Sequence, residues 1–288
     1  MGILSAIFQA VIQGLTEFLP VSSSGHLSLY QHFTGNSGEG ALFFSAVLHL
    51  GTLVAVCLAF RQTIWAMIKE LGEMFKDIGH RRFTLKNMNV ERRMIIMMII
   101  SCLCLAPFVF VKDWFEGIAE DKSIFAEGLC FLYTAAILYM SDRCAKGTKT
   151  AEDIKAKDAV TVGLFQAVAL LPGVSRSGST ISAGLFSGFT RELAVKYSFI
   201  LGIPVILLSC LIEVKDAVTS EAAIPWGACF VGFIVAAFVG LVAIKLVTWL
   251  VRKDRFRIFA YYTAVLGIIV LLISFIELCM GRPIVFNS

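Results

Sequence analysis

Residues 225–250 read PWGACFVGFIVAAFVGLVAIKLVTWL, a run in which Lys245 is the sole charged residue. A helix needs about 20 apolar residues to cross the hydrocarbon core of a bilayer, so this run predicts a membrane-spanning α-helix. Five further stretches are also apolar and long enough to cross a bilayer, namely 41–60, 92–111, 124–141, 193–213 and 258–278. The chain is therefore expected to cross a membrane six times.

The overall composition supports a membrane protein. Of the 288 residues, 58% are hydrophobic and 16% are charged, whereas soluble domains are about 25% charged. Disordered, collagen-like and small disulfide-linked proteins have other compositions, and the strands of a membrane β-barrel would alternate polar and apolar residues. The eight cysteines form no C-x-x-C pair and are expected to pack in the core. Membrane lipid is the expected partner, and nothing indicates a nucleic-acid partner.

The basic residues predict the orientation, because positively charged connections remain on the cytoplasmic side. The first 60 residues contain no Lys or Arg, whereas residues 61–93 contain Arg61, Lys69, Lys76, Arg81, Arg82, Lys86, Arg92 and Arg93. Residues 142–158 are also basic, and residues 112–123 are acidic. This pattern predicts that 61–93 and 142–158 are cytoplasmic connections, and that 112–123 and both termini lie outside.

Two more apolar regions, 3–34 and 157–189, are each interrupted by a charged cluster rich in Pro, Gly and Ser. These clusters are Glu17–His26 and Pro172–Thr180. The charge pattern requires each region to enter and leave on one side of the membrane, which a re-entrant hairpin and two full crossings both satisfy. Hairpins are favoured, because a charged residue among lipid-facing helices costs about 2.5 to 3.5 kcal/mol.

The two interrupted regions are copies of each other at an offset of 153 residues. Four polar or glycine positions of the first, Gln13, Ser22, Ser24 and Gly25, recur as Gln166, Ser175, Ser177 and Gly178. Since the charge pattern puts the copies in opposite orientations, we predict an all-α polytopic membrane protein with six transmembrane helices and two re-entrant helical hairpins. They would form an inverted repeat of about 1–141 and 157–280 within a single domain, 1–288.

Broken helices in inverted repeats meet near the middle of the membrane, so the functional site is expected where Ser22–His26 faces Ser175–Thr180. The second of these loops has the character of a phosphate site. Its glycines, Gly173 and Gly178, allow the backbone to approach an anion, and the helix that follows presents free N–H groups. Its hydroxyl donors are Ser175, Ser177, Ser179 and Thr180, and Arg176 can hold two phosphate oxygens. The alternative is a Ser and Gly packing face, which would not need an arginine.

The first loop supplies acidic and titrating groups. Gln13 and Glu17 are four residues apart and lie on one helix face, where their oxygens could bind a divalent cation, Mg²⁺ or Ca²⁺. Three hydroxyls follow at Ser22, Ser23 and Ser24. His26 is suited to acid or base catalysis near neutral pH. The alternatives are a glutamate at the water boundary and a structural histidine.

A few polar residues lie elsewhere in the predicted spans. His49 is expected either to line the cavity or to pack within its helix. Glu127, Glu213 and Glu277 lie near span ends and are expected to be solvated.

These residues resemble the undecaprenyl-pyrophosphate phosphatase family of the bacitracin-resistance type. The family motif is (E/Q)-x-x-x-E, then a segment rich in Pro, Ser and Gly that ends in His, then P-G-x-S-R-S-x-x-T. The matching positions are Gln13, Glu17 and Pro20–His26 in the first motif and Pro172–Thr180 in the second. The family motif allows Glu or Gln at the position of Gln13. Because this chain has Gln there, it offers one carboxylate rather than two to a cation.

The resemblance implies hydrolysis of undecaprenyl pyrophosphate to the monophosphate, which recycles the lipid carrier of wall synthesis and gives bacitracin resistance. It also implies a multi-pass enzyme of the bacterial plasma membrane, with a site reached from the outer face and aided by a divalent cation. The chief functional positions would be Glu17, His26 and Arg176. Ser23 would be the nucleophile, and Ser175, Ser177 and Thr180 would support the phosphates. The chemistry of the two loops adds Ser22, Ser24, Gly173 and Gly178 to the expected phosphate site. A homodimer is left open.

Two alternatives remain at this stage. Either Ser23 or a water molecule could attack the distal phosphorus, with His26 moving the proton. A carrier or flippase of prenyl phosphate could also use an inverted repeat with broken helices. The two loops differ, however, since Glu17 and His26 align with Leu170 and Ser179 in the second copy. Acid and base groups in one copy favour a hydrolase over a carrier.

Overall fold

The computed structural model describes residues 2–35, 41–86, 88–109, 123–171, 173–219 and 226–286. These residues form twelve α-helices and one 3-10 helix, Ala151–Asp153, and include no β-strand. The helices are α1 (Ile3–Thr16), α2 (Ser23–Thr34), α3 (Ala41–Ala59), α4 (Arg61–Gly79), α5 (Val90–Leu103), α6 (Ala106–Val109), α7 (Phe125–Arg143), α8 (Ala156–Val168), α9 (Arg176–Phe186), α10 (Arg191–Thr219), α11 (Trp226–Arg252) and α12 (Arg257–Met280). The predicted all-helical fold is confirmed.

Three described helices are long and apolar enough to cross a membrane: α10 over Arg191–Lys215, α11 and α12. A fourth candidate combines α3 with α4, which meet at an angle of 87°. The protein is therefore a multi-pass membrane protein. α5 ends at Leu103, short of the predicted span 92–111, whose last two residues lie outside the described part. The start of the predicted span 225–250 and most of the acidic connection 112–123 lie outside it as well.

The basic connection 61–93 is not an irregular loop, because most of it forms α4. This helix is amphipathic: Trp65, Ile68 and Phe75 are exposed along one side, at the spacing of a helical face. Arg92 of α5 holds α4 through ion pairs with Glu70 (2.6 Å) and Asp77 (2.7 Å). α4 therefore turns away from α3 and packs against the start of α5.

Each interrupted region is a pair of packed helices joined by a short break, α1 with α2 and α8 with α9. Both breaks end in a serine N-cap. Ser22 Oγ accepts a hydrogen bond from the Gly25 N–H (3.2 Å), and Ser175 Oγ accepts one from the Gly178 N–H (3.1 Å). Such caps satisfy N–H groups that the first helical turn leaves free. The helix starts at residues 3 and 23 recur at 156 and 176, in the 153-residue register of the sequence.

Small residues bring α1 and α3 close to the long helix α11. A Cβ on Gly14 of α1 would lie 2.9 Å from the Ala236 carbonyl oxygen of α11, and a Cβ on Gly51 of α3 would lie 2.7 Å from that of Phe233. Close approach at small residues is how membrane helices gain packing contacts. α8 packs against α5, and α3 packs against α10. These contacts surround the two breaks with helices on several sides.

Candidate active site

A cavity of about 600 Å³ lies between the two breaks and the middle of α10. Its polar lining is supplied by the two broken helix pairs and by α3 and α10: Thr16, Glu17, Ser22, Ser23, Ser24, His49, Gln166, Ser175, Arg176, Ser177, Ser209 and Glu213. The rest of the lining is apolar and includes Leu105, Leu170, Leu171, Val205 and Ile206. The cavity thus combines a polar end with apolar walls, as a site for a lipid that carries a charged headgroup requires.

Glu17 and Arg176 join the two breaks. Arg176 Nη2 donates to Glu17 Oε1 over 2.5 Å. The other carboxylate oxygen, Oε2, accepts hydrogen bonds from Ser23 Oγ (2.8 Å) and from Gln13 Nε2 (3.0 Å). Glu17 is only 7% exposed, so its charge depends on these partners. Three of the residues singled out in the sequence therefore meet at one carboxylate.

Arg176 retains a free donor in this arrangement. Its Nη1 atom is buried and has no hydrogen-bond partner. The guanidinium lies against Gly202 of α10, where a Cβ would come within 2.1 Å of Nη1. A buried guanidinium N–H without a partner is costly, and a phosphate oxygen would satisfy it.

The serine hydroxyls connect the two breaks to each other. Ser24 Oγ accepts from the Gly173 N–H (3.3 Å), and Ser177 Oγ donates to the Leu19 carbonyl oxygen (3.3 Å). Gly173 has a φ of +92°, a conformation that glycine adopts readily. Ser22, with a φ of +73°, holds a strained backbone at the tip of the first break. The two tips therefore touch, as the sequence predicted.

Four of the seven residues predicted around the phosphates line the cavity, and three do not. Ser22, Ser24, Ser175 and Ser177 line it together with Ser23. Gly173, Gly178 and Thr180 do not appear in its lining. Gly178 serves the Ser175 cap, and Thr180 Oγ1 lies 2.6 Å from Ser198 Oγ. Pro172 lies outside the described residues.

His26 is turned away from the cavity, and the described lining does not include it. Its Nδ1 lies 2.7 Å from the Ser22 carbonyl oxygen, and its Nε2 lies 2.7 Å from the Tyr262 hydroxyl. The imidazole is stacked on the Tyr262 ring at 5.7 Å and meets the Phe131 ring edge to face. In this arrangement His26 joins the first break to α12, so its predicted role in proton transfer stays a prediction.

Comparison with known proteins identifies the chain. Residues 6–269 match the family described as bacitracin resistance protein BacA. The chain belongs to this family. It is 40% identical over 285 residues to the undecaprenyl-diphosphatase of Methanobrevibacter smithii, covering 96% of this chain and 100% of that protein.

Two further relatives carry the same name. The undecaprenyl-diphosphatase of Methanosphaera stadtmanae is 38% identical over 285 residues, and that of Alkaliphilus metalliredigens is 36% identical over 276 residues. Each alignment covers 95% of this chain and 99% of the relative. The resemblance to the undecaprenyl-pyrophosphate phosphatases is confirmed.

This BacA family member buries two of the three glutamates that were expected to be solvated. Glu127 is 6% exposed and accepts from Ser28 Oγ (2.7 Å), and Glu277 is 8% exposed and pairs with His32 (2.7 Å). Glu213 is half-buried and lines the cavity, with its Oε2 3.4 Å from His49 Nδ1. The expectation was wrong for Glu127 and Glu277 because proximity to a span end does not reveal whether a neighbouring helix supplies a polar partner. The sequence signal for a buried glutamate was its position within or beside an apolar span.

The cation site predicted at Gln13 and Glu17 has few protein ligands. The described residues contain no group of three or more His, Cys, Asp or Glu side chains that could hold a metal ion. Gln13 Oε1 is buried without a hydrogen-bond partner beside the Glu17 carboxylate. One amide oxygen and one carboxylate fit a cation that also binds substrate phosphates, since Mg²⁺ commonly uses one or two carboxylates together with phosphate oxygens.

Proposed function

We propose that this chain hydrolyses undecaprenyl pyrophosphate to undecaprenyl phosphate and inorganic phosphate, and so recycles a lipid carrier and gives bacitracin resistance. The BacA family match and the curated relatives named undecaprenyl-diphosphatase support this activity. The observation that carries the proposal is the contact between Glu17 and Arg176, which unites both sequence motifs in a cavity with apolar walls. A diphosphate can bind at the polar end while the prenyl chain follows the apolar wall.

The proposed topology has six membrane helices and two re-entrant hairpins in an inverted repeat, in the bacterial inner membrane. The shared register of the two helix pairs and the packing of each pair support it. Basic residues put the start of α10 on the cytoplasmic side. The cavity is lined by α10 from Pro204, near the middle of that helix, to Glu213, farther from its cytoplasmic start, so we infer a site that opens to the periplasm or cell exterior.

In the proposed mechanism the protein supplies position and charge, which phosphoryl transfer chiefly needs. Arg176 holds phosphate oxygens through its free Nη1 donor, and the hydroxyls of Ser175 and Ser177 line the same end of the cavity. Ser23 Oγ, or a water molecule in its place, attacks the distal phosphorus. The bond from that phosphorus to the bridging oxygen breaks, and undecaprenyl phosphate leaves.

Glu17 is the proposed acceptor of the attacking group's proton, because Ser23 Oγ already donates to its Oε2. Among the described hydrogen bonds, none joins His26 to Ser23. If Ser23 is the nucleophile, water then cleaves the phosphoserine and regenerates the hydroxyl. A divalent cation at Glu17 and Gln13 would neutralise charge on the diphosphate oxygens.

The test is phosphate release from undecaprenyl pyrophosphate by purified protein in detergent with Mg²⁺ or Ca²⁺. We expect the wild type to be active, and Arg176→Ala and Glu17→Ala to lose at least about 100-fold of the activity. Arg252→Ala is a matched control, because Arg252 forms an exposed ion pair with Glu192 at a helix end. An inactive wild type would refute the proposed function.

A prenyl-phosphate carrier remains the second candidate, favoured by the two broken helices whose tips meet. The same purified protein in vesicles distinguishes the two. Movement of prenyl phosphate between leaflets, without phosphate release from the diphosphate, would favour the carrier.

A further inference from the structure

The cavity contains a half-buried pair of side chains that belongs to neither sequence motif. His49 comes from α3 and Glu213 from α10, and both line the cavity. His49 Nδ1 lies 3.4 Å from Glu213 Oε2, and Ser45 Oγ donates to Glu213 Oε1 over 3.4 Å. The pair therefore joins two helices that pack against each other at the wall of the site.

The other ring nitrogen of His49 faces the catalytic carboxylate. His49 Nε2 lies 4.0 Å from Glu17 Oε2, the oxygen that also accepts from Ser23 and Gln13. Arg176 occupies the opposite oxygen, Oε1. The imidazole thus lies between Glu17 and Glu213 and borders the side of Glu17 that Arg176 does not reach.

The repeat shows that the fold itself does not require this pair. At the offset of 153 residues, His49 corresponds to Gly202 and Glu213 corresponds to Phe60. The second copy therefore has a glycine in place of His49, and the first copy has a phenylalanine in place of Glu213. Polar side chains in apolar spans cost free energy, and two that lie at non-equivalent positions of the copies yet meet beside Glu17 indicate a function at that site.

We propose that His49 and Glu213 are positioning residues of the phosphatase site. Glu213 fixes the imidazole of His49, and the imidazole fixes the Oε2 side of the Glu17 carboxylate, so that Ser23 and Glu17 keep their alignment when the diphosphate binds. This inference rests on the proposed function. It requires donors at position 49 toward both Glu213 and Glu17, which the imidazole supplies when both ring nitrogens carry a proton, and it does not require the ring to change its protonation.

The test compares kcat and KM for His49→Leu, His49→Gln and Glu213→Leu. Leucine removes the N–H donors of the imidazole, whereas glutamine retains N–H donors, in its side-chain amide, at a similar distance from the backbone. We expect His49→Leu and Glu213→Leu to lower kcat at least about tenfold, with KM within about threefold of the wild type. We expect His49→Gln to stay within about threefold of the wild-type kcat. The double variant with both leucines should be no worse than either single variant, because the two residues act as a unit.

His32→Leu is the matched control. His32 and Glu277 form a second His–Glu pair, which joins α2 to α12 and does not line the cavity. Its loss should lower the thermal midpoint but leave the kcat of the folded enzyme unchanged. If His49→Leu does not fold, the inference is tested by comparing the kcat of Glu213→Leu, which should fall, with the kcat of His49→Gln, which should not.

Two results would overturn the inference. One is a leucine variant whose kcat equals that of the wild type. The other is an equal loss in His49→Gln and His49→Leu, which would make the imidazole a packing group only. A wild type that releases no phosphate would instead refute the proposed function, so the two failures are distinct.

Discussion

Ser23 Oγ donates a hydrogen bond of 2.8 Å to Glu17 Oε2. The carboxylate lies in the break between α1 and α2 and the hydroxyl belongs to the first residue of α2, so the backbone of one short segment sets their distance. An adjacent base is what a serine hydroxyl needs in order to act as a nucleophile. This relationship makes the nucleophile the first question for experiment.

Replacing Ser23 by Ala tests covalent catalysis. If Ser23 attacks phosphorus, Ser23→Ala should lose at least about 100-fold of the activity, and rapid acid quench of the wild type with labelled substrate should trap a phosphoserine. Ser5→Ala is the control, since Ser5 contacts Tyr30 away from the cavity lining. Normal turnover by Ser23→Ala would assign the attack to water.

The Glu17 and Arg176 pair should show strong energetic coupling. Either single alanine variant leaves an uncompensated buried charge, which costs about 3 to 5 kcal/mol. The double variant removes both charges and should be more stable than the sum of the single effects predicts. Thermal unfolding of the four proteins in one detergent measures the coupling. Purely additive effects would mean that the contact contributes nothing to stability.

Changing Gln13 to Glu should alter the cation requirement. The substitution adds a second carboxylate beside Glu17, so the Mg²⁺ or Ca²⁺ concentration for half-maximal activity should fall about tenfold. Chelation should abolish activity in both proteins, and added cation should restore it. Full activity after exhaustive chelation would exclude the cation from the mechanism.

The contact between His26 and Tyr262 predicts how His26 acts. His26 Nε2 meets the Tyr262 hydroxyl outside the cavity. Tyr262→Phe should therefore lower the activity several-fold, which is part of the loss of activity expected for His26→Ala. Combining the two substitutions should add nothing further. A full-activity Tyr262→Phe together with an inactive His26→Ala would return His26 to a direct role in the chemistry. Initial-rate kinetics on the four proteins provides the measurement.

The sequence predicted the features that depend on local chemistry. The breaks at Glu17 and at Gly173 and the meeting of the two tips follow from Pro, Gly and Ser in two copies of one pattern. The helical character of the long apolar runs follows from their length. These features are local or repeated, so a single sequence without relatives contains enough information to predict them.

The side-chain partners could not be predicted in the same way. Whether His26 enters the cavity depends on Tyr262, which is 236 residues away in sequence. The burial of Glu127 depends on Ser28 of another helix, and the pairing of Glu213 with His49 depends on how α3 packs against α10. The charge pattern predicts a basic connection at 61–93 but does not predict the amphipathic helix α4, because a count of charges ignores their helical spacing.

The first residues of α2 and α9 are Ser23 and Arg176, and they occupy the same place in the duplicated pattern. Two identical halves would carry the same residue at both tips, either two hydroxyls or two guanidinium groups. Two hydroxyls would lack an anchoring charge, and two guanidinium groups would lack a nucleophile. Because one polypeptide carries both copies, each tip has its own residue, and the site can combine a hydroxyl from one copy of the repeat with a charge from the other.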